Sequence, residues 1–216
     1  MFFQQCHAFI PILHEPTTVL DDQNIHLTLS MFALSARHDT NMKAKSETLY
    51  LLAKQTTQAT LLNPDMSTLI ALLLLTVYEI GHPNTSLHAW TTLGSALSVV
   101  SAFHLLRMDD DQPHRSNRWL PEAKDWVEEE GRRRAALMAI SLARWSSAIQ
   151  GRDLGVVLAS DIDLRLPVSD EIWFAAVWLH PLADPFFSLP NMFRPDLRKL
   201  GAESTRDGHH QQYRPV

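Results

Sequence analysis

Only one cysteine, Cys6, occurs in the 216 residues of this chain. A single thiol forms no internal disulfide, which excludes a small secreted fold held by staples and points to a reducing compartment. It equally excludes a cysteine-based structural zinc module, which draws on several thiolates. Positive charge is also short: 19 Lys and Arg face 24 Asp and Glu, a formal charge of −5. Phosphate backbones demand clustered positive charge, so a generic polyanion binder is not expected, although a local basic face is compatible with this balance. The opening MFFQQCHAFIPILHEP is apolar but lacks a basic n-region, and Pro11 and Pro16 interrupt it, so it does not read as a secretory signal. The greasiest run, Leu69 to Val77, is about half the ~20 residues that a bilayer span needs. Alternating Val and Ile are scarce, and no internal repeat is found. No G-x-S-x-G elbow and no HExxH pair is present, and Cys6 has no identifiable base partner.

What is there is helical. A hydrophobic share of 45% can supply a core, and the length fits one domain of ordinary size or a large fragment of a bigger protein. Asp21 or Asp22 is placed to cap a helix running to about Arg37, with Ile25, Leu29, Phe32 and Leu34 as its apolar positions. A second helix is expected from about Lys43 to Leu62, stopped at Asn63-Pro64, where the proline restricts its predecessor. Asp65 or Ser67 opens a third, PDMSTLIALLLLTVYEIG, apolar nearly all round and therefore central. Gly81 and Pro83 end it. TSLHAWTTLGSALSVVSAFHLL reads as a fourth, in which Gly94, Ser95, Ala96 and Ser98 form a small-residue face for close approach of a neighbour. The acidic run Asp109–Asp111 reads as loop, because carboxylates oppose the dipole at a helix C-terminus. A long helix is expected from about Lys124 to Ile149 and a short one from near Ser169; beyond Pro181 the chain is Pro-rich and polar.

In the long helix, Glu128, Glu129 and Glu130 each precede Arg132, Arg133 and Arg134 by four residues. This acid-first order adds roughly 0.2–0.5 kcal/mol per exposed pair, and part of so dense a charge run is solvated surface. Ala136, Ile140, Ala143 and Ser147 lie on one stripe, with Leu137 and Arg144 beside it. The helix is followed by a Gly-Arg-Asp turn, an Asp-Ile-Asp step and a Leu-Pro segment leading to Trp173.

These blocks together resemble the fungal-specific transcription factor domain, the helical regulatory region that follows a binuclear zinc DNA-binding module in many fungal activators. HAFIPILHEPT, containing His14 and Pro16, looks like the family's opening motif. LLLLTVYEIGHPNTSLHAWTTLGSALSVVSAFHLLR, with Tyr78, Trp90 and Gly94, resembles its paired helices. EEEGRRRA, with Glu130, Arg132, Arg133 and Arg134, resembles its acidic run before consecutive arginines. GRDLGVVLASDIDLRLP, with Gly151, Arg152, Asp161, Asp163 and Pro167, resembles its Gly-Arg-Pro turn and Asp-Ile-Asp step. The chain departs from the pattern at Ala143, where most members have Asp before the arginine of the long helix. It also departs at Ala135, Ala136 and Leu137, where most have an aromatic, and at Asp153, where the family has Pro.

The resemblance implies an all-α multi-helix regulatory domain, with a central apolar helix pair and a long charged helix. It would occupy 1–180, partial at its N-terminus, with a poorly ordered tail at 181–216. It implies a nuclear transcription regulator, working through effector sensing, intramolecular gating or dimerisation rather than by reading DNA with this chain. Six cysteines for two zinc ions cannot come from one, and Met1 falls almost on the opening motif, so the expectation is a truncated zinc-cluster factor or a regulator that acts through partners. Those partners would be a second copy, a zinc-cluster factor or the transcription machinery, with a small-molecule effector admitted and no membrane, metal or cofactor expected. The alternative is a stand-alone interaction protein that modulates a full-length zinc-cluster factor. The third choice is an all-α magnesium-dependent prenyl-diphosphate enzyme using Asp109–Asp111, which lacks a second carboxylate constellation at helical spacing. Histidines such as His82, His88, His209 and His210 show no ligand spacing. Asp161 and Asp163 are placed to pair with Arg152 or Arg165 and pin the turn. Of the six tryptophans most are assigned to the core, with Trp90 or Trp145 candidates for an inter-helix effector pocket.

Overall fold

The computed structural model describes residues 2–18, 20, 24–82, 85–108, 123–150 and 162–179. The chain divides into two compact units, Met1–Trp178 and Leu179–Val216; the first carries the elements that follow. Asp21, Asp22, Asp109–Asp111, Gly151, Arg152, Asp153, Asp161 and the tail at 181–216 lie outside the described residues.

Among the described residues the regular structure is entirely helical: α1 (Phe2–Gln5), α2 (Ile25–His38), α3 (Lys43–Thr60), α4 (Met66–Ile80), α5 (Ser86–Ala102), α6 (Ala123–Gln150) and α7 (Asp170–Leu179), with short 3-10 turns at Glu15–Thr17 and Leu105–Arg107. The all-α expectation holds. No helix among these residues is long and apolar enough to cross a membrane.

The apolar helix α4 is central, touching α2, α3, α5 and α6. Leu69, Leu72, Leu73, Leu74 and Leu75 are all buried, as a helix apolar on every side requires. Its start is fixed by Asp65, whose Oδ1 accepts from Thr68 N at 2.7 Å, Thr68 Oγ1 at 2.8 Å and Ser67 Oγ at 2.7 Å. Its end is held from outside: Arg37, in the last turn of α2, donates to Tyr78 O at 3.0 Å and to Gly81 O, satisfying carbonyls that a helix C-terminus leaves open. At the other end of α2, His26 Nε2 lies 2.8 Å from Ser67 Oγ. These two ties share a sequence offset of 41, so α2 and α4 run side by side in the same direction, with α3 returning between them.

The buried face of α2 differs from the sequence reading. His26, Leu27, Ser30, Met31, Ala33 and Leu34 are inside, while Ile25 and Phe32 are largely exposed. Ser30 and Ser35 hydrogen-bond the carbonyls of His26 and Met31, which lets hydroxyls sit on an inward face that a hydrophobicity count passes over. On α5 the expected close approach at Gly94 is absent: a Cβ there would meet nothing within 4 Å. The inward residues are instead Leu93, Ala96, Leu97 and Val100. On α6 the buried stripe runs through Ala135, Ala136, Ala139, Leu142, Ala143 and Ser146, one position round from the expected set, with Ile140 and Ser147 only half-buried. Three of those positions are where the chain departs from the family pattern. Ala135 and Ala136 are completely buried and Ala143 nearly so.

Of the tryptophans whose side chains are described, Trp173 is fully buried, Trp90 and Trp126 are half-buried and Trp145 is about half exposed.

Candidate functional site

Glu130, Arg133 and Arg134 sit one helical turn apart on α6 and face inward, with residue exposures of 1%, 5% and 5%. The expected split of the charge run between solvated surface and interior therefore falls within these six residues. Only Glu128–Arg132, at 3.9 Å between two exposed side chains, is a fully solvated pair. Carboxylates and guanidinium groups almost never go this deep unless paired, and here each finds several partners. Glu130 Oε2 accepts from Arg133 Nη1 at 2.6 Å; its Oε1 accepts from Arg134 Nε at 3.1 Å and from the Val168 N–H at 3.0 Å. Arg133 reaches Glu129 at 3.3 Å as well, and Arg165 lies 3.6 Å from the same Glu129 oxygen.

Arg134 is the hub. Its Nη1 donates to Asp170 Oδ1 at 2.5 Å and to Pro11 O at 3.2 Å, and its Nη2 donates to Val168 O at 2.5 Å. Its guanidinium carbon lies 4.0 Å from the centroid of the Trp173 ring, a cation–π contact away from water. One side chain thus ties α6 to the opening segment, to the extended 162–169 stretch and to α7. A planar fork with five donors can serve four acceptors at once, which an ammonium cannot.

The opening segment is pinned to α7 by a second set of contacts. His14 Nε2 lies 3.0 Å from Trp173 O, and its Nδ1 2.9 Å from Thr17 Oγ1. A carbonyl only accepts, so Nε2 carries the proton and Nδ1 accepts from the threonine hydroxyl. The ring packs against Trp173 and stacks on Phe174, at centroid distances of 5.3 and 5.9 Å. His7 lies between Phe3 and Phe174, at 5.5 and 5.2 Å, and neither of its ring nitrogens has a hydrogen-bond partner. Burial lowers the pKa of both histidines from the usual value near 6.5, more than the nearby charges and hydrogen bonds restore.

Beside this network an open groove of about 440 Å³ runs along α6. Its lining joins apolar Pro11, Ile12, Leu137 and Met138 to Ser141, the 167–169 segment and the charged pair Arg134 and Asp170.

The sequence-derived positions fall into two groups. His14, Glu130, Arg133 and Arg134 converge on this junction, with Pro16 in the adjoining 3-10 turn and Pro167 on the groove rim. Tyr78, in the core, and the half-buried Trp90 and Gly94 of α5 are not among the residues of this junction. Tyr78 is on the last turn of α4, stacked on Tyr50 at 4.6 Å. Asp163 ties the returning segment to the 3-10 turn after α5 through its backbone N–H, 2.8 Å from Leu106 O, and Arg165 lies within ion-pair distance of Glu129; Arg152 and Asp161, the other members of the expected pairing, lie outside the described residues. The sequence reading missed Pro11, Val168 and Asp170, the first two of which act through backbone atoms that leave no side-chain signature.

It also missed a second buried ion pair. Glu79 is fully buried on α4; its Oε1 accepts from Tyr50 Oη at 2.6 Å and from Lys54 Nζ at 2.7 Å. The lone acidic residue in TVYEIG was the available signal. Burial and the adjacent carboxylate both push the Tyr50 phenol far above its ordinary pKa. Among the described residues no group of His, Cys, Asp and Glu is arranged to hold a metal ion.

No solved structure matches the chain. It is 26% identical over 190 residues to the tropolone cluster transcription factor tropK of Talaromyces stipitatus, a match covering 79% of this chain and 31% of that protein. It is 29% identical over 158 residues to the ascochitine biosynthesis cluster transcriptional regulator of Didymella fabae, covering 66% of this chain and 26% of that protein. The chain therefore spans about a third or less of the curated relatives it matches. The fungal specific transcription factor domain matches over residues 1–177, taking in every element from α1 to most of α7, and the chain belongs to that family.

Proposed function

We propose that this chain is the regulatory part of a nuclear transcription regulator of a fungal biosynthetic gene cluster, acting through its helical domain and not by reading DNA with its own residues. Family membership and the names of both relatives support the transcriptional role. The observation that carries the regulatory mechanism is the Arg134 hub. It fastens the opening segment and α7 to α6 through a handful of directional contacts on a buried cation, and an ion-pair junction of that kind changes state with the loss or exchange of one partner. Effector binding, an intramolecular contact or dimerisation that disturbs the hub would be felt at both ends of the domain together. The formal charge of −5 weighs against phosphate-backbone binding by this chain.

The test is a tethering assay. The full chain, joined to a heterologous DNA-binding module, is expected to enter the nucleus and change a reporter's output relative to the module alone. Arg134→Ala is expected to alter that output at matched protein level. An unchanged reporter with the fusion inside the nucleus would overturn the reading, as would tight salt-dependent duplex binding by the isolated chain.

A further inference from the structure

We infer that the groove between α6 and the 167–170 segment is a binding site for a small amphipathic carboxylic acid, whose carboxylate replaces that of Asp170 on Arg134. The inference rests on the regulatory reading above and names the class of effector.

Three observations combine. The groove's volume of about 440 Å³ falls within the ~300–1,000 Å³ of ordinary small-molecule sites. The apolar part of its lining, Pro11, Ile12, Leu137 and Met138, suits a hydrocarbon body. The charged end is unevenly buried. Arg133 and Arg134 side chains are 6% and 5% exposed and Glu130 only 1%, whereas the carboxylate that balances Arg134, that of Asp170, is 54% exposed. Of the two carboxylates paired with Arg134 among the described residues, Glu130 is fixed in the interior and Asp170 stands at the rim.

That asymmetry selects the head group. Exchanging one carboxylate for another on Arg134 Nη1 conserves charge and leaves no buried ion unpaired. The released Asp170 is already half in water, so its hydration shell is about half formed at the start. A cationic head would have to displace Arg134 itself, which is held by Glu130, Pro11 O, Val168 O and the Trp173 face. A neutral head gains the walls alone. Asp170 is the first residue of α7, so its release takes one tie off that helix and carries occupancy of the groove to the element that ends the domain.

The test uses the purified full chain, isothermal titration calorimetry, and octanoate, octanol and octylammonium as matched probes. Octanoate is expected to bind about tenfold or more tightly than octanol, with octylammonium weakest. Asp170→Ala removes the internal competitor, so it is expected to tighten octanoate by about five- to tenfold while leaving octanol unchanged, because a site occupied most of the time by its own carboxylate shows a proportionally weakened affinity. Asp170→Asn serves if the alanine variant does not melt cooperatively. Met138→Trp, which fills the groove, is expected to abolish octanoate binding. Equal binding of octanoate and octanol, weaker octanoate binding after removal of the Asp170 charge, or no octanoate binding at millimolar concentration would each overturn the site. Failure here leaves the tethered reporter response standing, and a silent reporter with intact octanoate binding would fail the regulatory reading instead.

Discussion

Arg134 lies over the Trp173 ring across the boundary between α6 and α7, with 4.0 Å between the guanidinium carbon and the ring centroid. The fully buried indole adds an aromatic contact to the four hydrogen-bond acceptors of the cation. Arg134→Lys keeps the charge but loses the planar fork. It is expected to lower unfolding free energy by about 2–4 kcal/mol, since hydrogen bonds to charged groups are worth about 1.5–3 kcal/mol each. Urea denaturation followed by Trp fluorescence measures it; a loss below about 0.5 kcal/mol would show the hub to be dispensable.

The three Glu–Arg pairs of α6 look alike in sequence and are expected to behave differently. Glu130→Ala removes the most deeply buried carboxylate, which two buried guanidinium groups share, and is expected to cost about 3–5 kcal/mol. Glu128→Ala breaks one exposed pair at 3.9 Å and is expected to fall within about 0.5 kcal/mol of wild type. Comparing the two denaturation midpoints checks the contrast in one experiment.

That contrast marks the limit of what the sequence could show. Acid-first spacing predicted each pair correctly, and the helix boundaries of α3, α4 and α6 followed from Asn63-Pro64, Asp65 and the long periodic run. Which of the six charges point inward is decided by partners elsewhere: Pro11 O, Val168 N and O, Asp170 and Trp173. Two of those residues contribute only backbone groups, identical for every residue type. The opening motif and the arginine run stood out as separate resemblances, and nothing local to either said that they meet. Trp145 and Phe32 failed for the opposite reason. A large apolar side chain is read as core by default, yet more than half of a folded surface is apolar.

Acid is expected to destabilise the domain in a defined window. Burial holds His7, His14 and His26 below the usual value of 6.5. The unfolded chain therefore takes up protons first as pH falls, so their contribution to stability is complete above about pH 6.5 and is lost progressively below it. Asp65 acts in the same direction in more acidic solution. Burial alone would raise its pKa, but hydrogen bonds from Thr68 and Ser67 outweigh that and lower it below 3.8, so its contribution is lost as pH falls below that value. Thermal midpoints between pH 8 and pH 5 should decline, and His7→Phe should flatten the decline; a midpoint independent of pH over this range would contradict the burial of these rings.

Two glycines are expected to be improvable and one not. A Cβ at Gly94 or Gly131 would meet nothing within 4 Å, and both lie inside helices. Gly94→Ala and Gly131→Ala should each stabilise by about 0.5–1 kcal/mol. At Gly81 the same methyl would lie 2.5 Å from Arg37 Nη1, so Gly81→Ala should dislodge the arginine that caps α4 and give no gain. Differential scanning calorimetry of the three variants distinguishes them.

Among the described residues Lys54 supplies the only positive charge paired with the fully buried Glu79 carboxylate, whose second oxygen has no hydrogen-bond partner among them. Lys54→Met is expected to destabilise by about 3 kcal/mol or more, and Glu79→Gln in the same chain should recover part of the loss. Failure of the double variant to recover would assign the effect to the lysine stem rather than to its charge.

The contact between His14 and Trp173 spans 159 residues of sequence, and that between Pro11 and Arg134 spans 123. Translation proceeds at about 5–20 residues per second, so the first turn of the domain waits roughly ten to thirty seconds on the ribosome before its partners exist. Throughout that interval Phe2, Ile10, Ile12 and Leu13, all buried in the finished domain, have no complete surface to cover them. The latch that closes the domain is synthesised after all the helices it fastens, so the opening segment stays without its full packing surface until α7 emerges.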